Sequence, residues 1–110
     1  MLILVRRIDK TAILEIVGDI DLSSSPEVRR MLLQELTSNR TARVILNMER
    51  VEYIDSSGVA SLIEGLKAAR DIGSRLLLFG LSPIAREVLQ LCRLLKIFEI
   101  YENEEQALHE

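Results

Sequence analysis

The sequence predicts one α/β domain over residues 1–110, with a mixed, mostly parallel β-sheet and helices packed mainly on one face. Short β-rich apolar runs alternate with segments whose apolar residues recur at helical spacing, a pattern typical of parallel strands joined by helices. The hydrophobic fraction of 48% in 110 residues is enough for a single core without cross-links. We therefore expect the element order β-β-α-β-α-β-α-β-α.

The strands of the first half are predicted from three apolar runs. Residues 2–8 and 11–17 are β-rich and are separated by Asp9 and Lys10, a pair that suits a hairpin turn. Residues 43–48 (R-V-I-L-N-M) are apolar on both faces, which is typical of a central strand. The first two strands are therefore expected to be antiparallel, with the third inside the sheet.

The first helix is predicted to begin in S-S-S-P-E-V at residues 23–28. Either Ser24 or Ser25 suits the N-cap, and Pro26 suits the first turn. Glu27 is placed for a capping box with Ser24. The helix is expected to carry Val28, Met31, Leu32, Gln34 and Leu36 and to end in the polar stretch Thr37–Thr41.

Two further helices are predicted from apolar stripes. The second is expected to end at Gly73 in a left-handed turn. The third is expected to begin at S-P, residues 82–83, where serine suits the N-cap and proline the first turn. The stripes are Val59, Leu62, Ile63, Leu66 and Ala69 for the second helix, and Ile84, Val88, Leu91 and Leu95 for the third.

The remaining elements are two strands and a short helix. Residues 75–80 (R-L-L-L-F-G) are predicted to form a buried strand, and residues 97–101 (I-F-E-I-Y) to form an edge strand. Asn103 suits the N-cap of a terminal helix over residues 104–108. These elements complete the predicted order.

Composition and missing motifs disfavour several functional classes. The net charge of −3, without a basic stripe interleaved with aromatics, disfavours nucleic-acid binding. The one histidine, His109, and the one cysteine, Cys92, leave no zinc set and no supported Ser-His-Asp triad; Cys92 is expected in the core. Neither G-x-G-x-x-G nor a P-loop is present. No apolar run approaches about 20 residues and no signal peptide is evident, so we expect a cytoplasmic protein without membrane insertion.

The stretch Y-I-D-S-S-G-V at residues 53–59 carries the candidate site. Ser56 and Ser57 are expected at the N-cap or in the first turn of the second helix. Unpaired N–H groups and the helix dipole favour a phosphate group at such a position. A serine that only caps the helix suits the same position. The residues alone leave both interpretations open.

Three aspartates are expected close to these serines. Asp19, Asp21 and Asp55 lie near the carboxyl ends of predicted strands, where α/β sheets place their sites. Carboxylates gathered there can bind Mg²⁺, as in a phosphotransfer receiver. A receiver also needs a lysine late in the sheet, and residues 79–81 (F-G-L) contain none. We therefore disfavour an enzyme.

Three stretches of the chain resemble the STAS family, the domain shared by sulphate transporters and anti-sigma factor antagonists. They are G-D-I-D at 18–21, V-I-L-N-M-E-R-V-E-Y-I-D-S-S-G-V at 44–59, and L-L-L-F-G-L-S-P at 76–83 followed by the helix and the E-N-E-E-Q-A-L tail. The resemblance covers essentially the whole chain. It implies a single STAS domain with the element order derived above.

The resemblance also implies roles for the residues of the D-S-S-G stretch. Ser56, the first serine after the aspartate, matches the position that the family phosphorylates. Ser57 matches a serine or threonine that caps or supports the site. Gly58, which has no Cβ, allows the backbone and nucleotide of a partner to approach closely. Asp55 either orients the Ser56 hydroxyl or contacts the kinase, or is an Asx-type loop residue.

The two upstream aspartates match the family less uniformly. Asp21 matches the family acid beside the site. Asp19 stands where the family more usually has glutamate. The charge is the same but the side chain is shorter, which leaves the role of Asp19 open.

The function that the resemblance implies is that of an anti-sigma factor antagonist acting by partner switching. The unmodified protein is expected to bind an anti-sigma factor, itself a serine kinase with ATP and Mg²⁺, and so to free the sigma factor. Phosphorylation of Ser56 ends this binding, and a metal-dependent serine phosphatase resets it. The protein itself is expected to need no cofactor and to be no enzyme.

Two alternatives stay open. One is a STAS subunit of a bacterial lipid-transport ABC transporter, which grips an ATPase without phosphorylation. Residue 60 is alanine, where many sporulation-type antagonists have a second glycine, and this keeps the transporter interpretation open. The other is a nucleotide-binding sensor, which the missing phosphate loop makes weaker.

Overall fold

The computed structural model describes residues 1–39 and 41–110 and contains one five-stranded sheet. Its strands are β1 (Leu2–Ile8), β2 (Thr11–Val17), β3 (Arg43–Arg50), β4 (Arg75–Phe79) and β5 (Glu99–Tyr101), and they lie in the order β1-β2-β3-β4-β5. The helices are α1 (Ser25–Leu33), α2 (Ser56–Asp71), α3 (Pro83–Leu91) and α4 (Glu104–Leu108), and a π-helical turn at Gln34–Ser38 follows α1. The predicted order of elements is confirmed.

The sheet is mixed, as predicted. β1 and β2 form the antiparallel hairpin, and the other neighbouring strands pair in parallel. Residues 44–48 of the central β3 are buried. β3 does not end near Met48 but continues to Arg50, because Arg50 still pairs with Val17 of β2 beyond an irregularity in the register.

β5 is shorter than the predicted strand over residues 97–101. The N–H groups of Ile97 and Phe98 donate to the Leu94 carbonyl at 3.0 and 3.3 Å, so both residues belong to a turn. Phe98 is buried in the core, whereas Ile97 is half exposed. Pairing with β4 therefore begins only at Glu99.

The core lies mainly between the sheet and the first three helices. On that face, residues of β2, β3 and β4 pack against α1, α2 and α3; they include Leu14, Ile16, Leu46, Met48, Leu76, Leu78, Leu32, Leu62 and Leu89. The opposite face carries a smaller cluster, in which Ala107 of α4 packs against Ile13, Ile45, Leu77 and Phe79. Helices thus cover mainly one face, as predicted.

Three predicted helix ends are confirmed. Ser82 caps α3, accepting from the Ala85 N–H at 3.0 Å. Asn103 caps α4, accepting from the Gln106 N–H at 2.9 Å. Gly73 follows α2 with a φ of 74°, a left-handed conformation that suits glycine. Local cap signals therefore place these helices correctly.

The predicted capping box of α1 does not form. Ser24 occupies the N-cap and Pro26 the first turn, but the Ser24 side chain makes no cap bond. Its hydroxyl donates instead to the Asp19 carbonyl at 2.8 Å. Glu27 pairs with Arg30 at 3.3 Å, so its carboxylate is directed along the helix rather than back to Ser24.

The end of α1 differs from the prediction in which residues are buried and in its π-helical turn. Gln34, predicted in the apolar stripe, is exposed, and Glu35 is buried instead, with 3% of its surface accessible. The Thr41 hydroxyl and the Asn39 amide each donate to the Glu35 carboxylate at 3.0 Å. Glu35 lies seven residues after the buried Val28, so it continues the buried stripe of the helix. The predicted end at Thr37–Thr41 includes Arg40, which lies outside the described residues.

The stripe predicted for α3 is partly wrong. Ile84 and Leu91 are 45% and 76% exposed, and Ala85 and Leu89 are buried instead. The buried residues recur at the spacing of i and i+4, so the helix is amphipathic as predicted but is rotated. Ala85 and Leu89 belong to the core on this face, and the half-buried Val88 of the predicted stripe packs against it.

The residues after α3 also depart from the prediction. Cys92 was expected in the core but is exposed. The helix ends at Leu91, and Arg93 turns the chain with a φ of 60°. Leu95 is half buried, but it lies beyond the helix to which it was assigned. The early turn thus leaves Cys92 on the outside of the fold.

Candidate functional site

The site begins where two connections run side by side at the carboxyl ends of β2 and β3. The Ile20 N–H donates to the Tyr53 carbonyl at 3.1 Å, and the Asp55 N–H donates to the Ile20 carbonyl at 3.1 Å. Ile20 and Ile54 form an isolated parallel bridge, and both are buried. The two connections therefore form one rigid platform under the start of α2.

Gly58 allows α2 to start directly against this platform. A Cβ atom on Gly58 would lie 2.6 Å from the Ile20 carbonyl oxygen and 2.6 Å from Cγ1 of Ile54. Side-chain atoms do not approach backbone that closely, so only glycine fits without displacement. The role implied for Gly58, close approach by a partner, is untested; the contact that the structure shows is internal.

Asp55, and neither serine, caps α2. Its Oδ1 accepts from the Gly58 N–H at 3.0 Å, and its carbonyl accepts from the Val59 N–H at 2.9 Å. Of the roles considered for Asp55, the structure shows the Asx-type loop residue. The interpretation that Ser56 only caps the helix is wrong, because Ser56 is the first helical residue.

The two serines occupy unequal positions in the first turn. Ser56 is exposed, whereas Ser57 is half buried. The Ser57 carbonyl accepts from the Ser61 hydroxyl at 3.2 Å, and the same hydroxyl donates to the Ser25 carbonyl of α1 at 3.0 Å. Ser57 also lines a shallow groove between α1 and α2, together with Leu22, Ser25, Pro26, Arg29, Ala60, Ser61 and Glu64. Ser57 thus lies on the internal side of the turn and Ser56 on the outer side.

The three aspartates lie at this edge of the sheet, and each has a structural partner. Asp19 Oδ1 accepts from the Tyr53 N–H at 3.0 Å, which ties the two connections together. Asp21 Oδ1 accepts from the Ser23 hydroxyl at 2.7 Å and from the Ser23 and Ser24 N–H groups at 3.0 and 3.2 Å. The hydrogen bond from the Ser23 hydroxyl is the main reason why the pKa of Asp21 lies below its usual value.

These contacts define what the acidic residues do chemically. Their oxygens accept from N–H and hydroxyl groups of their own loops, so they organise backbone rather than forming an open ligand set. Within residues 1–39 and 41–110, no group of three or more metal-ligating side chains converges. The contact that the structure shows for Asp19, whose role the sequence left open, is the hydrogen bond that its carboxylate accepts from the Tyr53 N–H.

Sequence reasoning missed three features at or beside the site: a second contact of Ser82 and the exposure of Leu22 and Tyr53. The Ser82 hydroxyl, besides capping α3, donates to the Glu52 carbonyl at 2.6 Å and so fixes the second connection. Leu22 and Tyr53 expose 76% and 45% of their surfaces, one on each connection. The S-P signal located Ser82 but not its second contact. An exposed apolar residue in a polar loop could have drawn attention to Leu22.

The fold and the site together define a single-sheet α/β domain with an exposed serine in the first turn of its longest helix. The profile of the STAS domain family matches residues 3–107, and the chain belongs to this family. The anti-sigma F factor antagonist of Paenibacillus polymyxa is 26% identical over 98 residues, covering 89% of this chain and 84% of that protein. The family resemblance seen in the sequence is thereby confirmed.

Solved structures share the fold. The anti-sigma factor antagonist SpoIIAA in its unphosphorylated form has a TM-score of 0.83 at 22% identity, over 97% of this chain and 93% of that one. The phosphorylated form of SpoIIAA from Bacillus has a TM-score of 0.76 at 22% identity, over 98% and 97%. A sulfate transporter family protein from Wolinella succinogenes has a TM-score of 0.81 at 23% identity, over 93% and 84%. Among the described residues, no helix has the length and apolarity needed to cross a membrane.

Proposed function

We propose that this protein is an anti-sigma factor antagonist whose binding to an anti-sigma factor is controlled by phosphorylation of Ser56. One observation carries the proposal: Ser56 is exposed at the first residue of α2 while Asp55 makes the capping bond. The Ser56 hydroxyl is therefore not needed to hold the helix. The N–H groups at a helix start and the helix dipole favour a phosphate there.

The unmodified protein binds its partner through the surface around Ser56. Leu22 and Tyr53 offer exposed apolar contact area on the two connections. The groove beside Ser57 lies between α1 and α2 and continues this surface. A buried apolar centre surrounded by polar groups is the usual arrangement of an interface, so Leu22 and Tyr53 serve as its anchors.

Phosphorylation ends the binding by adding charge at this surface. A phosphoserine carries about −1.5 to −2 charges at neutral pH. Asp19, Asp21 and Asp55 already make this edge of the sheet acidic. An added charge that the partner must desolvate without compensation costs several kcal/mol, and about 4 kcal/mol is a thousandfold in affinity.

The chain acts as substrate and switch, in the cytoplasm, and not as the catalyst. The anti-sigma factor is the serine kinase and supplies ATP and Mg²⁺, and a separate serine phosphatase removes the phosphate. This division agrees with the site, because its carboxylates are engaged in loop contacts.

Phosphate transfer with matched serine variants tests the proposal. The protein is incubated with the kinase-type anti-sigma factor of its own genome and ATP, and the phosphate gained is measured by intact mass. The wild type and Ser57→Ala should gain one phosphate, whereas Ser56→Ala should gain none and should keep binding the kinase in the presence of ATP. Phosphate uptake by Ser56→Ala would exclude Ser56 as the acceptor.

The transporter role is the second candidate. Its support is Ala60, which stands at the position of the second glycine of many sporulation-type antagonists. In this role the start of α2 holds a partner ATPase without any modification. Two results together would favour the transporter role. The protein would gain no phosphate from any kinase of its genome, and both the wild type and Ser56→Ala would capture a transport ATPase.

A further inference from the structure

The edge strand β1 carries an apolar surface that the function proposed above does not use. Leu2, Leu4 and Ile8 are 54%, 44% and 44% exposed, and Val5 is 36% exposed. Among the residues that the structure describes, no strand lies on the outer side of β1. The opposite edge, β5, is only three residues long. Short edges are protected from pairing by their length, so β1 is the edge available to another strand.

The two charged residues of β1, Arg6 and Arg7, do not prevent another strand from pairing with this edge. Charged side chains commonly prevent the pairing of edge strands. Here Arg6 forms an ion pair with Glu104 of α4, and Arg7 forms one with Glu35 of the π-helical turn. The two arginines alternate along the strand, so they are drawn onto opposite faces of the sheet. Each positive charge has a partner, and the edge between them carries no uncompensated charge.

The hairpin decides which backbone groups of β1 remain free. The two-residue turn closes on Ile8 and Thr11, and the closing residues of such a turn face each other with hydrogen bonds. Antiparallel pairs then alternate between bonded and non-bonded. The N–H and C=O groups of Ile3, Val5 and Arg7 are therefore directed away from β2, toward the open edge.

This pattern of side chains and backbone groups is self-complementary. We propose that β1 pairs antiparallel with β1 of a second copy of this chain, with the twofold axis passing at Val5. Val5 then faces its own copy, Ile3 faces Arg7, and Leu4 faces Arg6; Leu2 faces Ile8. The free groups of Ile3, Val5 and Arg7 meet one another in this register. No arginine faces another, and each arginine stem covers an apolar side chain.

The pairing joins the two sheets into one of ten strands and leaves both Ser56 sites free. The site lies at the carboxyl ends of β2 and β3, and a twofold axis perpendicular to the sheet sends the second site to the opposite end. The dimer is thus bivalent, with its two serines directed away from each other. This inference does not depend on the proposed function.

A charge pair at the twofold axis tests the register. Because Val5 faces itself, Val5→Lys and Val5→Glu should each weaken the dimer about tenfold or more by placing like charges opposite each other. A 1:1 mixture of the two variants should recover association, since opposite charges then meet. Leu91→Lys, at a residue that is 76% exposed on α3, is the matched control and should dimerise like the wild type. Sedimentation velocity over a concentration series measures each dissociation constant.

A second measurement needs no substitution. In the wild type, the amides of Ile3, Val5 and Arg7 should exchange with solvent more slowly as the concentration rises, whereas those of Leu4 and Arg6 should not change. A monomer at every concentration would overturn the proposal. So would a dimer that neither Val5 variant weakens, a mixture without recovery, or an equal slowing of exchange with concentration in both sets of amides, which would place the contact elsewhere.

Discussion

Carboxylates hold loops at both ends of the sheet, but they do so in opposite environments. At the end where the parallel strands begin, Glu35 is buried and accepts from Arg7, Asn39 and Thr41. At the end where they finish, Asp55 accepts from the first turn of α2 beside an exposed serine. At the first end, the contacts of Glu35 stabilise the end of α1. At the second end, the carboxylate of Asp55 caps α2, so the Ser56 hydroxyl is not needed for the cap.

The largest loss of stability is expected for a substitution of Gly58, which packs against Ile20 and Ile54 at the start of α2. Gly58→Ala should lower the free energy of unfolding by about 3 kcal/mol, because the new Cβ would overlap the Ile20 carbonyl. Gly73→Ala is the control, since its cost of about 1 kcal/mol comes from a left-handed φ in open space. Urea unfolding measures both. Equal losses of unfolding free energy would mean that the connections containing Ile20 and Ile54 shift to admit the methyl group at little cost.

A loss of about 2 kcal/mol is expected for Glu35→Gln at the first end. The neutral amide cannot satisfy the Arg7 guanidinium and the Asn39 and Thr41 donors as a carboxylate does. Glu64→Gln removes one partner of an exposed ion pair with Arg29 and should change stability by less than about 0.5 kcal/mol. Thermal or urea unfolding distinguishes them, and similar small losses would show that the Glu35 cluster adds no stability.

A smaller loss is expected at the cap of α2. Asp55→Ala should cost about 1 kcal/mol, because the Gly58 N–H loses its acceptor. Ser56→Ala should leave stability nearly unchanged, since the Ser56 hydroxyl is not part of the cap. Asp55→Asn, which keeps an acceptor oxygen, should recover most of the loss. A larger loss for Ser56→Ala than for Asp55→Ala would contradict the assignment of the cap.

The smallest effect is the pH dependence contributed by Asp21. Its pKa in the folded protein is lowered by the Ser23 hydroxyl and by the N–H groups of Ser23 and Ser24. The ionised form therefore stabilises the fold above the pKa of aspartate in the unfolded chain, and this contribution is lost as pH falls through the folded pKa. NMR titration should place the Asp21 carboxyl below its usual pKa. The difference in stability between wild type and Asp21→Asn should shrink in acid.

The parts of the fold that the sequence predicts well are those that local chemistry decides. Ser82 and Asn103 were located as caps because a cap depends on residues within one turn. The rotation of α3 was missed because Ile84 and Leu91 are more hydrophobic than Ala85, yet Ala85 is buried and those two residues are exposed. Packing geometry decided this choice, and periodicity alone does not contain it.

The candidate site likewise has one part that the local sequence predicts and another that depends on long-range contacts. The position of Ser56 in the first turn of α2 was predictable from the residues around it. The hydrogen bond between Asp19 and Tyr53 joins residues 34 positions apart, so it depends on how β2 and β3 are paired. The burial of the charged Glu35 likewise depends on its partner Arg7 of β1, which is 28 positions away in the sequence.

The separation between Asp55 and Ser56 has a consequence for how the family can change over time. Since Asp55 keeps the helix start intact, mutation can replace residue 56 by alanine, threonine or an acid with little cost to folding. Under the proposed function, such a replacement removes, restores or fixes the control by phosphorylation while the scaffold persists unchanged. The control that we propose for this surface thus depends on a single codon, whereas the fold does not.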